Sequence, residues 1–389
     1  MMMPKVIAAA GAVLVLLALA AYGEGGATRA WALAIGAFAG IALYHASFGF
    51  TGGWRRLIRE RRGRGVRAQL VLIGLVVLVS YPLIGGWGEP LGVEARGVIL
   101  PMGIASAFGA FIFGFGMQLG SGCASGTLFT AGGGSTRMIL VLAFFIAGSV
   151  WATYDWDFWA SLPRTRAGVS LIRDYGVVGA WIAMAALLGA LWFASVLVER
   201  RAHGTLEHAV PVTGSWLAGP WSIWTGAAGL ALVALLCFIV LGRPWGVTYG
   251  FAVWGAQAVE LFGATPTEWT YWSGWRRGHV ENGPLSNGTT VMNLGILLGA
   301  MIAAGLAGRY APVWRLSARD VATAVVGGLL MGYGARLAYG CNIGAFLGGM
   351  TSGSLHGVWW LIWGFAGSWI GVIARGRIGM DPRPAPAAA

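Results

Sequence analysis

Gly114-Phe115-Gly116-Met117-Gln118-Leu119-Gly120-Ser121-Gly122-Cys123-Ala124-Ser125-Gly126 returns later in the chain as Gly332-Tyr333-Gly334-Ala335-Arg336-Leu337-Ala338-Tyr339-Gly340-Cys341-Asn342-Ile343-Gly344. One constant offset (341 − 123 = 218) lays Gly114, Gly116, Gly122, Cys123 and Gly126 on Gly332, Gly334, Gly340, Cys341 and Gly344. A thiol set twice in the same glycine frame points to one pathway built from two halves. Glycine on both sides of the thiol permits unusual backbone angles and close approach of a ligand to the main chain.

The surrounding sequence places both motifs in a membrane. Of 389 residues, 57% are hydrophobic and 10% are charged, and the apolar residues come in long runs. A run of about 20 apolar residues crosses the ~30 Å hydrocarbon core as a helix. Backbone groups in lipid must be satisfied within their own segment, so helices are the default. A transmembrane barrel needs short alternating strands, and no such alternation is present. The expected spans are 6–22, 30–46, 68–86, 97–116, 137–153, 176–197, 221–241, 288–307, 321–337 and 356–374. Between them lie Gly-rich stretches at 47–53, 117–135, 246–262 and 338–353, too short or too interrupted to span. Broken helices are tolerated at membrane depth where protein buries them or they line a cavity.

Charge sets the orientation. The net charge of +12 is almost all arginine, with Lys5 the only lysine. Seven arginines fall in 54–67, the strongest cytoplasmic signal in the chain. Glu199-Arg200-Arg201, the stretch 309–319 and the tail with Arg375 and Arg377 carry the same signal. Loops 154–175 and 263–287 mix signs and are rich in Trp and Tyr, which places them outside. The basic residues flank apolar spans, which argues against nucleic-acid binding. Threading the spans through these constraints makes 97–116 enter from outside and 321–337 from inside, so the second copy is inverted. The fold expected is an all-α polytopic helical bundle of two inverted repeats with broken helices carrying Gly-Cys turns, a plan common among transporters. Its parts are an extra N-terminal helix (1–29), a first repeat (30–175), a linker helix and cytoplasmic loop (176–220), a second repeat (221–375) and a disordered tail (376–389). A weaker match supports the duplication: Gly49 and Thr51 pair with Gly246 and Thr248.

The candidate pathway residues are Cys123, Cys341, Gly122, Gly340, Gln118, Arg336, Ser121, Ser125 and Asn342. A thiol is a weak, polarizable donor that suits a soft, sulfur-bearing ligand. Gln118 and Arg336 hold equivalent places before their cysteines. Arginine at membrane depth is costly and faces a bundle interior or a water-filled cavity. Arg336 can bind an anion, hold a broken-helix carbonyl or pair with a carboxylate such as Glu260. Cys237 lies in a plain apolar run and reads as packing. His45, His356, Gln257 and Asn293 read as satisfied core residues, and Gly132-Gly133-Gly134-Ser135 as a connector. No carboxylate–histidine cluster suggests a metal, no Walker-type loop appears, and no cofactor is expected.

The two cysteine motifs, with Arg243-Pro244-Trp245-Gly246-Val247-Thr248, resemble the signature motifs of the YeeE/YedE family across nearly the whole chain. That resemblance implies a bacterial inner-membrane, multi-pass protein of thiosulfate uptake or of transport of other sulfur or selenium species. It gives Cys123 and Cys341 the role of central pathway cysteines, which pass thiosulfate along by S–H hydrogen bonds without changing it. It also implies a small cytoplasmic sulfur-carrier protein as partner, because the carrier domain fused to some relatives is lacking here. The chain departs from some members in having no cysteine near Ser47-Phe48-Gly49-Phe50, where Ser47 or amides near Gly49 stand instead. The rival readings are a permease for another soft sulfur or selenium compound and a membrane sulfurtransferase carrying a Cys persulfide. The latter needs a cationic neighbour to lower the thiol pKa, for which Arg336 is the evident candidate.

Overall fold

The computed structural model describes residues 2–208 and 215–381. Among them there are helices and connecting segments but no strand beyond isolated bridges. In chain order the helices are α1 (Pro4–Ala46), α2 (Phe50–Glu60), α3 (Arg64–Pro82), α4 (Ile104–Gly120), α5 (Ala124–Gly132), α6 (Thr136–Tyr154), α7 (Trp156–Ser161), α8 (Leu171–His203), α9 (Ile223–Leu241), α10 (Thr248–Glu260), α11 (Arg277–Glu281), α12 (Gly288–Leu306), α13 (Ala318–Leu337), α14 (Gly348–Thr351) and α15 (Leu355–Arg377). A wide helical turn, Asn342–Leu347, leads into α14. Nine helical stretches among the described residues are long and apolar enough to cross a membrane.

The first of these stretches holds two of the expected spans. Non-helical backbone at Gly25 and Gly26 splits α1 into two arms. Ile7 lies against Gly305 and Ala21 shares a small core with Val291, so the first arm runs antiparallel to α12. Gly36 meets Met292 and Gly40 meets Ile296, so the second arm runs parallel to it.

The Gly-rich stretches contain short helices. α2 has 11 residues, α5 has 9 and α10 has 13. At about 1.5 Å per residue these reach ~14–20 Å, well short of the ~30 Å core. Each short helix is followed or preceded by a full-length one. This is the broken-helix arrangement expected for 47–53, 117–135, 246–262 and 338–353.

α4 and α13 cross at glycines. A Cβ on Gly334 would lie 2.4 Å from the Gly109 carbonyl oxygen, and one on Gly116 3.0 Å from the Gly327 carbonyl oxygen. Position 109 meets 334 while 116 meets 327, so the two helices are antiparallel. The 218-residue offset turns each of these contacts into the other. The flanking packing exchanges in the same way: α4 packs on α15 as α13 packs on α6, and α3 packs on α9 as α12 packs on α1.

Two expected spans are corrected. The span begun at 97 starts at Ile104. Residues 97–101 are extended instead, with the Val98 N–H donating to Ser352 Oγ (3.0 Å) and the Leu100 N–H to Ser354 Oγ (3.4 Å). Pro101 lacks an N–H and pushes Leu100 away from helical angles, so the helix begins only after it. The linker helix is longer than 176–197, running Leu171–His203 with a break at Gly176.

The two ends differ in charge. At one end Arg62 and Arg67 reach Glu199 (3.3 and 2.7 Å), Arg56 reaches Glu207 (3.2 Å), and Arg59 reaches Asp381 (3.0 Å). At the other, Thr270 donates to Asp157 (2.9 Å), and Trp159 donates to Tyr333, which donates to Asp155 (2.7 and 2.8 Å). The arginine-rich segments therefore gather on one face and the two mixed-charge loops on the other. Of the expected tail, 376–381 are described and Asp381 is ion-paired. Residues 382–389 and 209–214 lie outside the described residues.

Candidate functional site

Cys123 and Cys341 hold the same station in two turns of the same build. Cys123 is the extended residue before α5, and its carbonyl accepts from the Thr127 N–H (2.7 Å) and hydroxyl (2.9 Å). Its thiol lies 3.5 Å from Ser125 Oγ. Cys341 is the extended residue before the 342–347 turn. Its carbonyl accepts from the Ala345 N–H at 2.9 Å, and its sulfur from the Ile343 N–H at 3.4 Å. Gly122 and Gly340 leave room for these turns: a Cβ at Gly340 would lie 2.7 Å from the Ala345 nitrogen. Ser121 and Tyr339, equivalent under the offset, both take left-handed angles (φ 67° and 60°). α5 and the 342–347 turn pack on one another, and both thiols are buried in one core, within electrostatic reach of each other.

Gln118 and Arg336 sit one turn before the cysteines, and each reaches the threonine at the start of a short helix, Thr51 by its carbonyl and Thr248 by its hydroxyl. Gln118 Nε2 donates to Ser368 Oγ (2.6 Å) and to the Thr51 carbonyl (3.4 Å). Arg336 donates to Thr248 Oγ1 (2.7 Å) and to the Tyr271 hydroxyl (3.1 Å). Thr51 and Thr248 are the residues that the second internal match pairs, and each stands at the start of a short helix. Arg336 is 4% exposed, and among the described residues no carboxylate meets it. Pairing with Glu260 is therefore not what the structure holds.

Several polar atoms around these turns lack partners among the described residues. Both amide atoms of Asn342, Gln118 Oε1 and Arg336 Nε are buried and unbonded. So are Thr290 Oγ1 and Asn293 Oδ1 beside the start of α10. Each such group costs about 1–3 kcal/mol. Of these, Arg336 Nε, Asn342 Nδ2 and the Thr290 hydroxyl can donate to an anion, whereas the Asn342, Gln118 and Asn293 amide oxygens only accept.

Sequence reasoning missed the residues that close the ends of α4 and α13. Arg137 donates to the Gly120 and Leu119 carbonyls (2.8 and 2.9 Å). Arg375 donates to the Gln118 carbonyl (2.8 Å) and to Ser121 Oγ (2.7 Å). In the other half His356 Nε2 meets the Ala338 carbonyl (3.2 Å), the equivalent of Gly120. Cations at a helix C-terminus complement its dipole. In the sequence Arg375 carried only an orientation signal, His356 read as a core residue, and nothing marked Arg137. Cys237 is buried 3.9 Å from Met292 Sδ, in agreement with the packing reading. Gln257 is satisfied by the His279 carbonyl (3.0 Å), while His45, His356 and Asn293 each keep one unpartnered atom. Ser47 is exposed at the end of α1, and Gly49 faces open space. No group of metal-ligating side chains occurs among the described residues.

Residues 45–370 match the family model described as "Sulphur transport". The chain is 34% identical over 157 residues to "Probable transporter YedE" of Escherichia coli (strain K12), an alignment covering 40% of this chain and 38% of that relative. It is 31% identical over 272 residues to "Thiosulfate transporter TsuA" of Spirochaeta thermophila, covering 68% of this chain and 76% of the relative. The protein of the same description in Escherichia coli (strain K12) is 26% identical over 327 residues, covering 80% and 84%.

Proposed function

The chain belongs to the sulphur-transport family, and from that premise we propose that it imports thiosulfate, or a closely related soft sulfur oxyanion, between its two Gly-Cys turns. The observation that carries this reading is the pair of Gly-Cys turns packed together, with Arg336 buried near them and bonded, among the described residues, to the Thr248 and Tyr271 hydroxyls. The guanidinium attracts the oxyanion end. The Asn342 amide nitrogen and the Ser125 hydroxyl offer neutral donors, while the Gln118 amide nitrogen is taken up by Ser368 and the Thr51 carbonyl. The thiols of Cys123 and Cys341 meet the sulfur end with weak S–H contacts. Weak contacts at successive sites suit conduction, since an ion must enter readily and still leave. No bond to the substrate forms or breaks.

The antiparallel α4–α13 crossing, whose contacts exchange under one offset, supports two inverted repeats meeting at the path. The arginine-rich face then lies in the cytoplasm and favours the arrival of the dianion there. The same face suits an acidic surface on a small sulfur-carrier protein. Both thiols are fully buried, so passage requires the two turns to separate.

The test is uptake of labelled thiosulfate by cells that lack other importers. Cys123→Ala and Cys341→Ala are each expected to lower initial uptake at least tenfold while the protein stays folded and inserted. Unchanged uptake by an inserted variant removes the thiol from the mechanism. Mass spectrometry of the intact cysteines during uptake separates this reading from a persulfide carrier, which gains the mass of sulfur.

A further inference from the structure

Past the Cys123 turn, toward the arginine-rich face, the structure already holds an anion. The Asp381 carboxylate, 6% exposed, lies 2.6 Å from Arg375 Nε and 3.0 Å from Arg59 NH1. Arg375 is the side chain that also donates to Ser121 Oγ and to the Gln118 carbonyl, at 2.7 and 2.8 Å. One guanidinium thus joins the turn that presents Cys123 to a carboxylate brought from the end of the chain. Arg55 adds a third cation, within electrostatic reach of both Asp381 and Arg375. Its NH1 is buried without a partner among the described residues. A cleft of about 660 Å3 opens here, lined among others by Ile58, Arg59, Arg61, Trp369, Arg377 and Asp381. The segment bearing Asp381 is held in place by backbone: Met380 N–H donates to the Arg375 carbonyl (3.1 Å), and Arg319 donates to the Gly379 and Ile378 carbonyls.

We infer that Arg55, Arg59 and Arg375, with Ser121, form the release subsite for the transported oxyanion, and that Asp381 fills it as a tethered stand-in. The inference rests on the transport reading above. A carboxylate and a sulfur oxyanion present the same delocalised negative oxygens, and guanidinium groups bind both with charge-assisted hydrogen bonds. Two anions cannot share the same few ångströms without strong repulsion. The substrate therefore leaves only when Asp381 swings out, and Asp381 returns when the site empties. This makes the end of α15 a latch on the inner mouth. Arg55, with a free donor, offers the arriving anion a first hold before the carboxylate departs.

The experiment compares wild type with Asp381→Asn and Asp381→Glu in the full chain. If a latched state limits flux, the competent fraction rises when the carboxylate is neutralised. Initial thiosulfate uptake is expected to rise about threefold to tenfold in Asp381→Asn and to stay near wild type in Asp381→Glu. A second readout needs no transport: the rate at which a water-soluble maleimide labels Cys123 in purified protein, followed peptide by peptide. It is expected to rise in Asp381→Asn and to be slowed there by added thiosulfate more than in wild type. Uptake and labelling that are unchanged or lower in a well-folded Asp381→Asn protein overturn the latch. Asp381→Ser gives the same comparison if the amide variant inserts poorly. Wild type that takes up no sulfur oxyanion defeats the transport reading instead, and the labelling rates still report on the latch.

Discussion

Arg336 shows how a single residue separates function from stability. A guanidinium at membrane depth costs a few kcal/mol (about 2.5–3.5 at a helix centre by insertion scales). A buried charge regains that cost only from a well-placed counter-charge, and Arg336 has two hydroxyls instead. If its purpose were to brace the fold, its loss would be expected to weaken the protein. If its purpose is to meet an anion, Arg336→Gln removes a desolvated charge while keeping a hydrogen-bonding head. We predict that Arg336→Gln melts at the wild-type temperature or above it in detergent, while thiosulfate uptake falls at least tenfold. A variant that melts several degrees lower yet transports normally would show the residue to be a brace. The sequence located Arg336 through its pairing with Gln118 but left its partner open. That partner was not legible, because Tyr271 and Thr248 lie 65 and 88 residues away in the chain. Asn342 was legible as polar beside the thiol. That both of its amide atoms are left unbonded is a property of packing and has no local signature in the sequence.

Among the elements, the α4–α13 crossing is where the two halves depend on each other most directly. Helix association in lipid lacks a hydrophobic drive and relies on close backbone packing through small residues. Gly334 leaves 2.4 Å between a built Cβ and the Gly109 carbonyl oxygen, with backbone on the other side that cannot step aside as a flexible side chain would. Overpacking of this kind costs about 1–3 kcal/mol. Gly334→Val is therefore expected to lower the melting temperature and the inserted yield, and Gly109→Val to do the same. Gly189→Ala in α8, with nothing near its Cβ, should leave both unchanged. Equal losses in all three would mean that the crossing has no special role. The spans themselves were legible because apolar runs near twenty residues admit one interpretation in a bilayer. The short helices were legible only as interruptions. Glycine content marks where a helix stops, and whether 9–13 residues then coil into a half-helix depends on the walls that bury it. The extended stretch before α4 was missed because its apolar residues look like more helix, although Pro101 marks the boundary.

Across the whole molecule, charge and symmetry make one combined statement about orientation. In the proposed arrangement the second half repeats the first with its helices reversed, which puts the ends of equivalent elements on opposite faces. α2 ends at Glu60 among the arginines that bind Glu199 and Asp381. α10, its equivalent, ends at Glu260 and leads into the loop with Glu268, which packs near Asp157 at the other end. By the arginine bias the first of these faces is the one proposed to lie in the cytoplasm. The network on that face is also a structural anchor: Glu199 is wholly buried and accepts from Arg62, Arg67 and two backbone N–H groups. Removing one member leaves an uncompensated buried charge, a loss of about 3–5 kcal/mol. Glu199→Ala is accordingly expected to cut the inserted yield sharply. The orientation itself is tested with single cysteines, which is practical because Cys123, Cys237 and Cys341 are all buried. Glu60→Cys and Glu268→Cys place exposed thiols at the end of α2 and in the loop that follows α10. In intact cells an impermeant maleimide should reach the thiol introduced at 268, and should reach the one at 60 only after the membrane is opened. Labelling of both from the same side would contradict the inversion, since two parallel copies would present those ends to one compartment. It would also remove the reason for two cysteine turns to meet from opposite faces, and with it the central path.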